Sequence, residues 1–365
     1  MAPNKDITRL IRPELQSLGG YSAHTPPETL AGKIDVPTEK ILKLDANENP
    51  YGCSPKVAQA LSDYKSWNIY PDAAQARLRR QLQDYTGVDA SRIVAACGSG
   101  ELLDDILCLF IKPGDEVINC IPTFDMYRTR TIINGARLAN VPRDDDYAVD
   151  ISAVRTAITP KTKLIILANP NSPTGTATPE KDVRALLETG LPVLVDEAYY
   201  EFYGSTVAPL VGRYPNLMVL RTFSKWAGLA GLRVGYGVFP PEIASYLIKI
   251  KLPYNVNVAA LVAVQASLDD VDYLMGNVKA IVAERARMFQ ELGKVRWLKP
   301  FPSRANFIFC NVLRGNAGEL KQKLQQKGIL VRYFDQPRLQ NSLRISVGKP
   351  EHTDILIKIL QELGE

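Results

Sequence analysis

Histidine is scarce in this sequence and long apolar runs are missing, and each shortage removes a class of function. Only His24 and His352 occur in 365 residues. The five cysteines (Cys53, Cys97, Cys108, Cys120 and Cys310) form no Cys-x-x-Cys pair and have no neighbouring histidine. A Cys/His metal centre is therefore not expected, and an odd, dispersed set of thiols suits a reducing compartment. No segment has the length of a membrane span, and residues 1–15 lack the apolar stretch of a secretory signal. Basic residues are interspersed with acids and the net charge is only +5, so no nucleic-acid-binding face is expected. There is no internal repeat and no low-complexity segment. These absences leave a cytoplasmic protein that works on small molecules, with a charge sign suited to a small anion.

What is present is an ordinary globular composition, 46% hydrophobic and 23% charged, in a chain long enough for one large and one smaller domain. Short β-branched runs at 93–96, 116–120, 163–168, 192–195, 217–220 and 234–238 read as strands buried on both faces. Helix-like segments at 101–110 and 179–189 lie between them, each opened by an N-terminal signal (Ser99-Gly100-Glu101, Thr178-Pro179). Such alternation predicts a mainly parallel α/β sheet flanked by helices. Beyond Pro253 the pattern changes: one or two helices over 257–292, strand-like 306–311, 330–333 and 343–347, and helices at 317–327 and from 351. That predicts a second, smaller α+β domain. The expected partition is an N-terminal arm or lid (1–35), a linker contributing to the small domain (36–60), a large domain (61–257) and the small C-terminal domain (258–365).

Four features fall in order near the C-terminal ends of predicted strands, the edge at which open α/β sheets bind ligands. Gly98-Ser99-Gly100-Glu101 opens a helix after a strand, where backbone N–H groups and the helix dipole favour an anion. Alone it is a strand-to-helix turn with no Walker lysine. Asn169-Pro170-Asn171-Ser172-Pro173-Thr174-Gly175 is a rigid loop that can present the Asn171 amide to a ligand oxygen. In Val195-Asp196-Glu197-Ala198-Tyr199 an apolar strand ends on a carboxylate, which is costly without a partner. Asp196 can be a helix cap or the partner of a cationic ring nitrogen, with Tyr199 in reach of the same ligand. Finally, Lys225 sits between Phe223 and Trp226 in a glycine-rich loop that ends on Arg233. Desolvation there lowers the lysine's pKa and makes its amine nucleophilic, and Arg233 suits a phosphate.

The ordered set Ser99-Gly100-Glu101, Asn169-Pro170-Asn171, Asp196-Glu197-Ala198-Tyr199 and Ser224-Lys225…Gly231-Leu232-Arg233 resembles the fold type I (aspartate-aminotransferase-like) pyridoxal-phosphate enzymes over essentially the whole chain. Within them it is most similar to the histidinol-phosphate aminotransferases. Leu44-Asp45-Ala46-Asn47-Glu48-Asn49-Pro50-Tyr51-Gly52, Tyr70-Pro71-Asp72, Pro122-Thr123-Phe124-Asp125-Met126-Tyr127 and Leu343-Arg344-Ile345-Ser346-Val347-Gly348 carry that likeness. The resemblance implies a mixed seven-stranded sheet in the large domain and pyridoxal phosphate held by Lys225 as a Schiff base. Lys225 would then act as general base and acid, with Asp196 on the pyridine nitrogen and Asn171 and Tyr199 on the phenolate oxygen. Phe124 would stack on the ring. Ser99, Gly100, Glu101, Ser224 and Arg233 would hold the phosphate, together with Tyr70 from the partner subunit of a homodimer.

For substrate, the resemblance implies that Arg344 binds a carboxylate and that Tyr21, Arg332 and Arg344 take a distal phosphate. Each charged hydrogen bond there is worth roughly 1.5–3 kcal/mol. The implied reaction moves an amino group from L-histidinol phosphate to 2-oxoglutarate. An aromatic amino-acid aminotransferase and a phospho-amino-acid decarboxylase would share the fold and cofactor residues. A non-catalytic pyridoxal-phosphate sensor is the reading from a different class; such domains usually come attached to a DNA-binding module, for which room is not expected here.

Overall fold

The computed structural model describes residues 6–16, 18–20, 26–32, 34 and 36–364. Its strands, in chain order, are β1 (Leu42–Leu44), β2 (Ile93–Ala96), β3 (Glu116–Ile121), β4 (Arg137–Pro142), β5 (Thr162–Ala168), β6 (Val193–Asp196), β7 (Leu217–Thr222), β8 (Gly235–Val238), β9 (Leu298–Phe301), β10 (Phe307–Val312), β11 (Ile329–Tyr333) and β12 (Ser342–Ser346). The larger sheet has seven strands in the order β2-β8-β7-β6-β5-β3-β4. All run the same way except β8, which is antiparallel to both its neighbours. The smaller sheet, β1-β11-β12-β10-β9, is antiparallel apart from the β1–β11 pair.

The central strands are apolar along their whole length because both faces are covered. Ile165, Leu167, Val193, Val195, Leu217 and Val219 point into one core, while Leu164, Ile166, Leu194, Met218 and Leu220 point into another. Side chains alternate across a strand, so a run buried on both faces has no polar phase. This mixed α/β sheet is the one implied by the resemblance.

Three strands give no such signal. β1 is three residues long, β9 contains Pro300, and β4 is an edge strand whose residues are mostly half-buried or exposed. The segment 257–292 resolves into two helices, Val258–Leu268 and Val271–Gly293, broken at Asp269-Asp270. Among the described residues no helix is long and apolar enough to cross a membrane. Since β2, β5, β6 and β7 are parallel to one another, their C-terminal ends share one edge of the larger sheet.

Candidate active site

A cavity of about 560 Å³ opens at that edge, and Arg344 of the smaller sheet also reaches its wall. Lys225 lies in the loop joining β7 to β8. Its neighbours Phe223 and Trp226 are buried, which pulls the backbone inward and leaves the lysine half-buried on the cavity wall. Its Nζ donates to the carbonyl of Ala46 at 2.9 Å. Burial, assisted by the Arg344 and Arg233 guanidiniums, brings its pKa down to about 8.

Asp196 ends β6 on the same cavity. Its Oδ2 accepts from the Tyr127 hydroxyl at 2.8 Å and its Oδ1 from the Ala198 N–H at 3.0 Å. Burial pushes this carboxyl up, and the two hydrogen bonds oppose the shift. A carboxylate so enclosed is costly unless a cation meets it. Tyr199 also lines the cavity; its hydroxyl accepts from Asn47 Nδ2 at 2.9 Å, and burial raises its pKa.

The helix Ser99–Phe110 begins where Gly98 adopts a φ of 78°. The first-turn N–H groups have no acceptor inside a helix, although that of Glu101 bonds back to the Gly98 carbonyl at 3.3 Å. The Glu101 carboxylate accepts from the Cys97 N–H at 2.5 Å and from Asn255 Nδ2 at 3.0 Å. Arg233 lies over this turn: a Cβ on Gly98 would sit 2.6 Å from its Nη2. Its Nη1 reaches Ser224 Oγ at 3.4 Å and the Ala230 carbonyl at 3.2 Å. The turn, Ser224 and Arg233 thus come together in an arrangement able to take an anion, and the positive φ of Gly98 favours glycine at the turn.

Phe124 lines the cavity and is 38% exposed. Arg344 is buried, with Nη1 on Ser172 Oγ at 3.1 Å and Nη2 on the Asp45 carbonyl at 2.6 Å.

Other expected residues stand elsewhere. Asn171 is fully buried behind the wall. Its Nδ2 donates to the Pro122 carbonyl at 3.1 Å and Thr174 Oγ1 at 2.8 Å, and its Oδ1 accepts from Thr123 Oγ1 at 2.7 Å. The expected donation to a ligand oxygen thus needs this network to rearrange, because the amide is held by Thr174 of its own loop and by Pro122 and Thr123 of a second loop. Arg332 is off the cavity wall, directly across from Arg344 in the β11–β12 pair, and both guanidiniums lie over Phe334. Tyr70 is 77% exposed, outside the cavity, with its ring stacked on Tyr254 at 4.5 Å. Tyr21 and His24 lie outside the described residues.

Sequence reasoning gave no role to Tyr127 or Asn47, the partners of Asp196 and Tyr199. The only signal for Tyr127 is its spacing three residues after Phe124. Asn47 carries none beyond its place in a family-like segment.

A family model described as Aminotransferase class I and II matches residues 39–360. A histidinol-phosphate aminotransferase of Dehalococcoides mccartyi is 54% identical over 99% of both chains. The chain belongs to the histidinol-phosphate aminotransferase family. Another family member, from Roseiflexus castenholzii, is 46% identical over 98% of this chain and 99% of its own. Among solved structures, the histidinol-phosphate aminotransferase of Sinorhizobium meliloti in complex with pyridoxal 5'-phosphate superposes with a TM-score of 0.86 at 27% identity, over 96% of this chain and 97% of that one. Like the rest of its family, this chain is a pyridoxal-phosphate-dependent transaminase acting on small molecules. The residues present fit that cofactor: a desolvated lysine, an enclosed carboxylate and groups able to take an anion (a helix N-terminus, Ser224 and Arg233) line one cavity.

Proposed function

We propose that this chain transfers the amino group of L-histidinol phosphate to 2-oxoglutarate, one step in histidine biosynthesis, within a cytoplasmic homodimer. The observation that carries the reading is the Lys225 amine and the Asp196 carboxylate on one cavity wall, with the Arg344 guanidinium on the same cavity. Full-length identity to histidinol-phosphate aminotransferases supports the choice of substrate.

Bound pyridoxal phosphate supplies an electron sink and carries the amino group between the two substrates. Lys225 would hold the cofactor through Nζ, and the same amine would take the proton from the substrate's α-carbon. Its lowered pKa suits that work near neutral pH. Asp196 would keep the ring nitrogen protonated, while Tyr199 and, after rearrangement of its amide, Asn171 would donate to the ring oxygen. Phe124 would cover the ring face. Ser99, Gly100, Glu101, Ser224 and Arg233 bind the phosphate, and Tyr70 reaches it from the partner subunit. Arg344 binds the carboxylate of 2-oxoglutarate or glutamate, and Arg332 and Tyr21 join it on the distal phosphate of histidinol phosphate. Residues 1–35 form the arm over the site, 61–257 the cofactor domain, and 36–60 with 258–365 the smaller one.

Steady-state rates with histidinol phosphate, phenylalanine and tyrosine as amino donors test this reading. The highest kcat/KM belongs to histidinol phosphate, and equal or higher values for the aromatic amino acids overturn the substrate assignment.

A further inference from the structure

Four side chains form a row across one face of the smaller sheet. Register pairs Arg332 with Arg344, Arg344 with Phe309, and Phe309 with Phe301, and directly opposed residues share a face. Arg344, second in the row after Arg332, reaches the cavity. The Phe301 end is plugged by Tyr147, which belongs to the loop between β4 and β5 of the larger sheet. The Tyr147 ring is buried and stands edge-on to Phe301 at 5.2 Å and to Phe309 at 5.5 Å.

The backbone of Tyr147 is held as firmly as its ring. Its φ is 62°, a left-handed conformation uncommon for an aromatic residue. Its carbonyl accepts from Arg143 Nη1 and from Thr176 Oγ1, both at 3.1 Å. Thr176 in turn accepts the Asn171 N–H at 2.8 Å, in the loop that presents Ser172 to Arg344. From the smaller sheet's side, Arg338 donates to the carbonyls of Arg143 and Asp144. One residue therefore grips the two bodies that meet at the cavity. Its ring packs on the two phenylalanines of the row, next to Arg344 in register, and its carbonyl holds the loop bearing Asn171 and Ser172.

We propose that Tyr147 is a positioning residue for transamination: it fixes Arg344 and Arg332 against the loop 169–175 and so sets affinity for the anionic ends of the substrates without touching them. This rests on the reading of Arg344 as the anion-binding residue. Small displacements of an anchor can be expensive in an oriented site. The effect falls on binding, while Lys225, Asp196 and the phosphate-binding groups keep their places.

Steady-state kinetics of Tyr147→Ala, Tyr147→Phe, Phe309→Leu and Arg344→Ala, with histidinol phosphate and 2-oxoglutarate, test the proposal. Tyr147→Ala raises both KM values roughly tenfold with kcat within about threefold, and leaves cofactor content and visible absorption unchanged. Tyr147→Phe keeps the ring and restores both KM values. Phe309→Leu thins the same contact from the other sheet and gives the same KM-selective loss, which covers the case in which Tyr147→Ala does not fold. If Arg344→Ala raises both KM values while the Tyr147 and Phe309 variants do not, the role of Tyr147 is overturned. Parallel loss of kcat and cofactor in Tyr147→Ala and Phe309→Leu also overturns it, since that is the mark of a purely structural contact. Unchanged KM values in Arg344→Ala overturn instead the substrate reading beneath it.

Discussion

Tyr127 donates its hydroxyl hydrogen bond to Asp196 at 2.8 Å while its ring stands at 86° to that of Phe124. It thus supports both the carboxylate assigned to the ring nitrogen and the aromatic assigned to the ring face. Burial raises the Asp196 carboxyl and the Tyr127 hydrogen bond pulls it back down. Replacing Tyr127 with Phe removes the lowering contribution, so Asp196 takes up a proton at higher pH than in the wild type. Activity that needs the anion is lost as pH falls through that pKa, so the acidic limb of the kcat profile moves to higher pH. Losing a hydrogen bond to a charged group is worth roughly 1.5–3 kcal/mol, or about ten- to a hundredfold in kcat. An unchanged acidic limb in the Phe variant would show that Tyr127 does not support the anion.

Lys225 yields a second pH dependence, from a pKa shifted in the opposite direction. The neutral amine is the nucleophile, and burial beside Arg344 and Arg233 brings its pKa to about 8, from an ordinary value of 10.5. The folded apoprotein therefore releases this proton more readily than the unfolded chain does. Its rate of pyridoxal-phosphate uptake climbs with pH through about 8 and then levels. As the unfolded chain binds the extra proton, the contribution of Lys225 to apoprotein stability also improves with pH between about 8 and 10.5. Stopped-flow measurement of the visible band after mixing apoprotein with cofactor checks the first point. A rate still rising steeply above pH 9.5 would contradict a lowered pKa.

How much of this was readable from sequence depends on whether the information was local. Strands β5, β6 and β7 were legible because they are buried on both faces, which leaves an uninterrupted apolar run. β4 was not, because an edge strand with mixed exposure has neither a continuous run nor a clean alternation. Lys225 and Asp196 announced themselves through apolar neighbours that make a charge expensive. Tyr127, by contrast, meets Asp196 across 69 positions of chain, and nothing near it in sequence reports the contact. The adjacency of Arg332 and Arg344 is likewise a product of strand register. The Asn171 amide, expected to face a ligand, is held inward by Thr174 and by Pro122 and Thr123, 49 and 48 positions away, a packing outcome that turn composition does not encode.

Tyr70 carries the strongest claim about assembly. An aromatic side chain 77% exposed, stacked on another exposed aromatic, Tyr254, presents apolar surface that a second copy of the chain can cover. Within its own chain it is not on the cavity wall. If it completes the phosphate cradle across a two-fold axis, each site needs Lys225 from one subunit and Tyr70 from the other. Tyr70→Ala alone then weakens cofactor binding, and Lys225→Ala alone abolishes turnover. In a mixed dimer of the two variants, one site combines wild-type Lys225 with wild-type Tyr70 and the other lacks both. Activity therefore appears on mixing two preparations that are each impaired, with cofactor affinity at the restored site equal to that of the wild type. If mixing yields heterodimers by native mass spectrometry but no gain in activity, Tyr70 does not serve the partner's site.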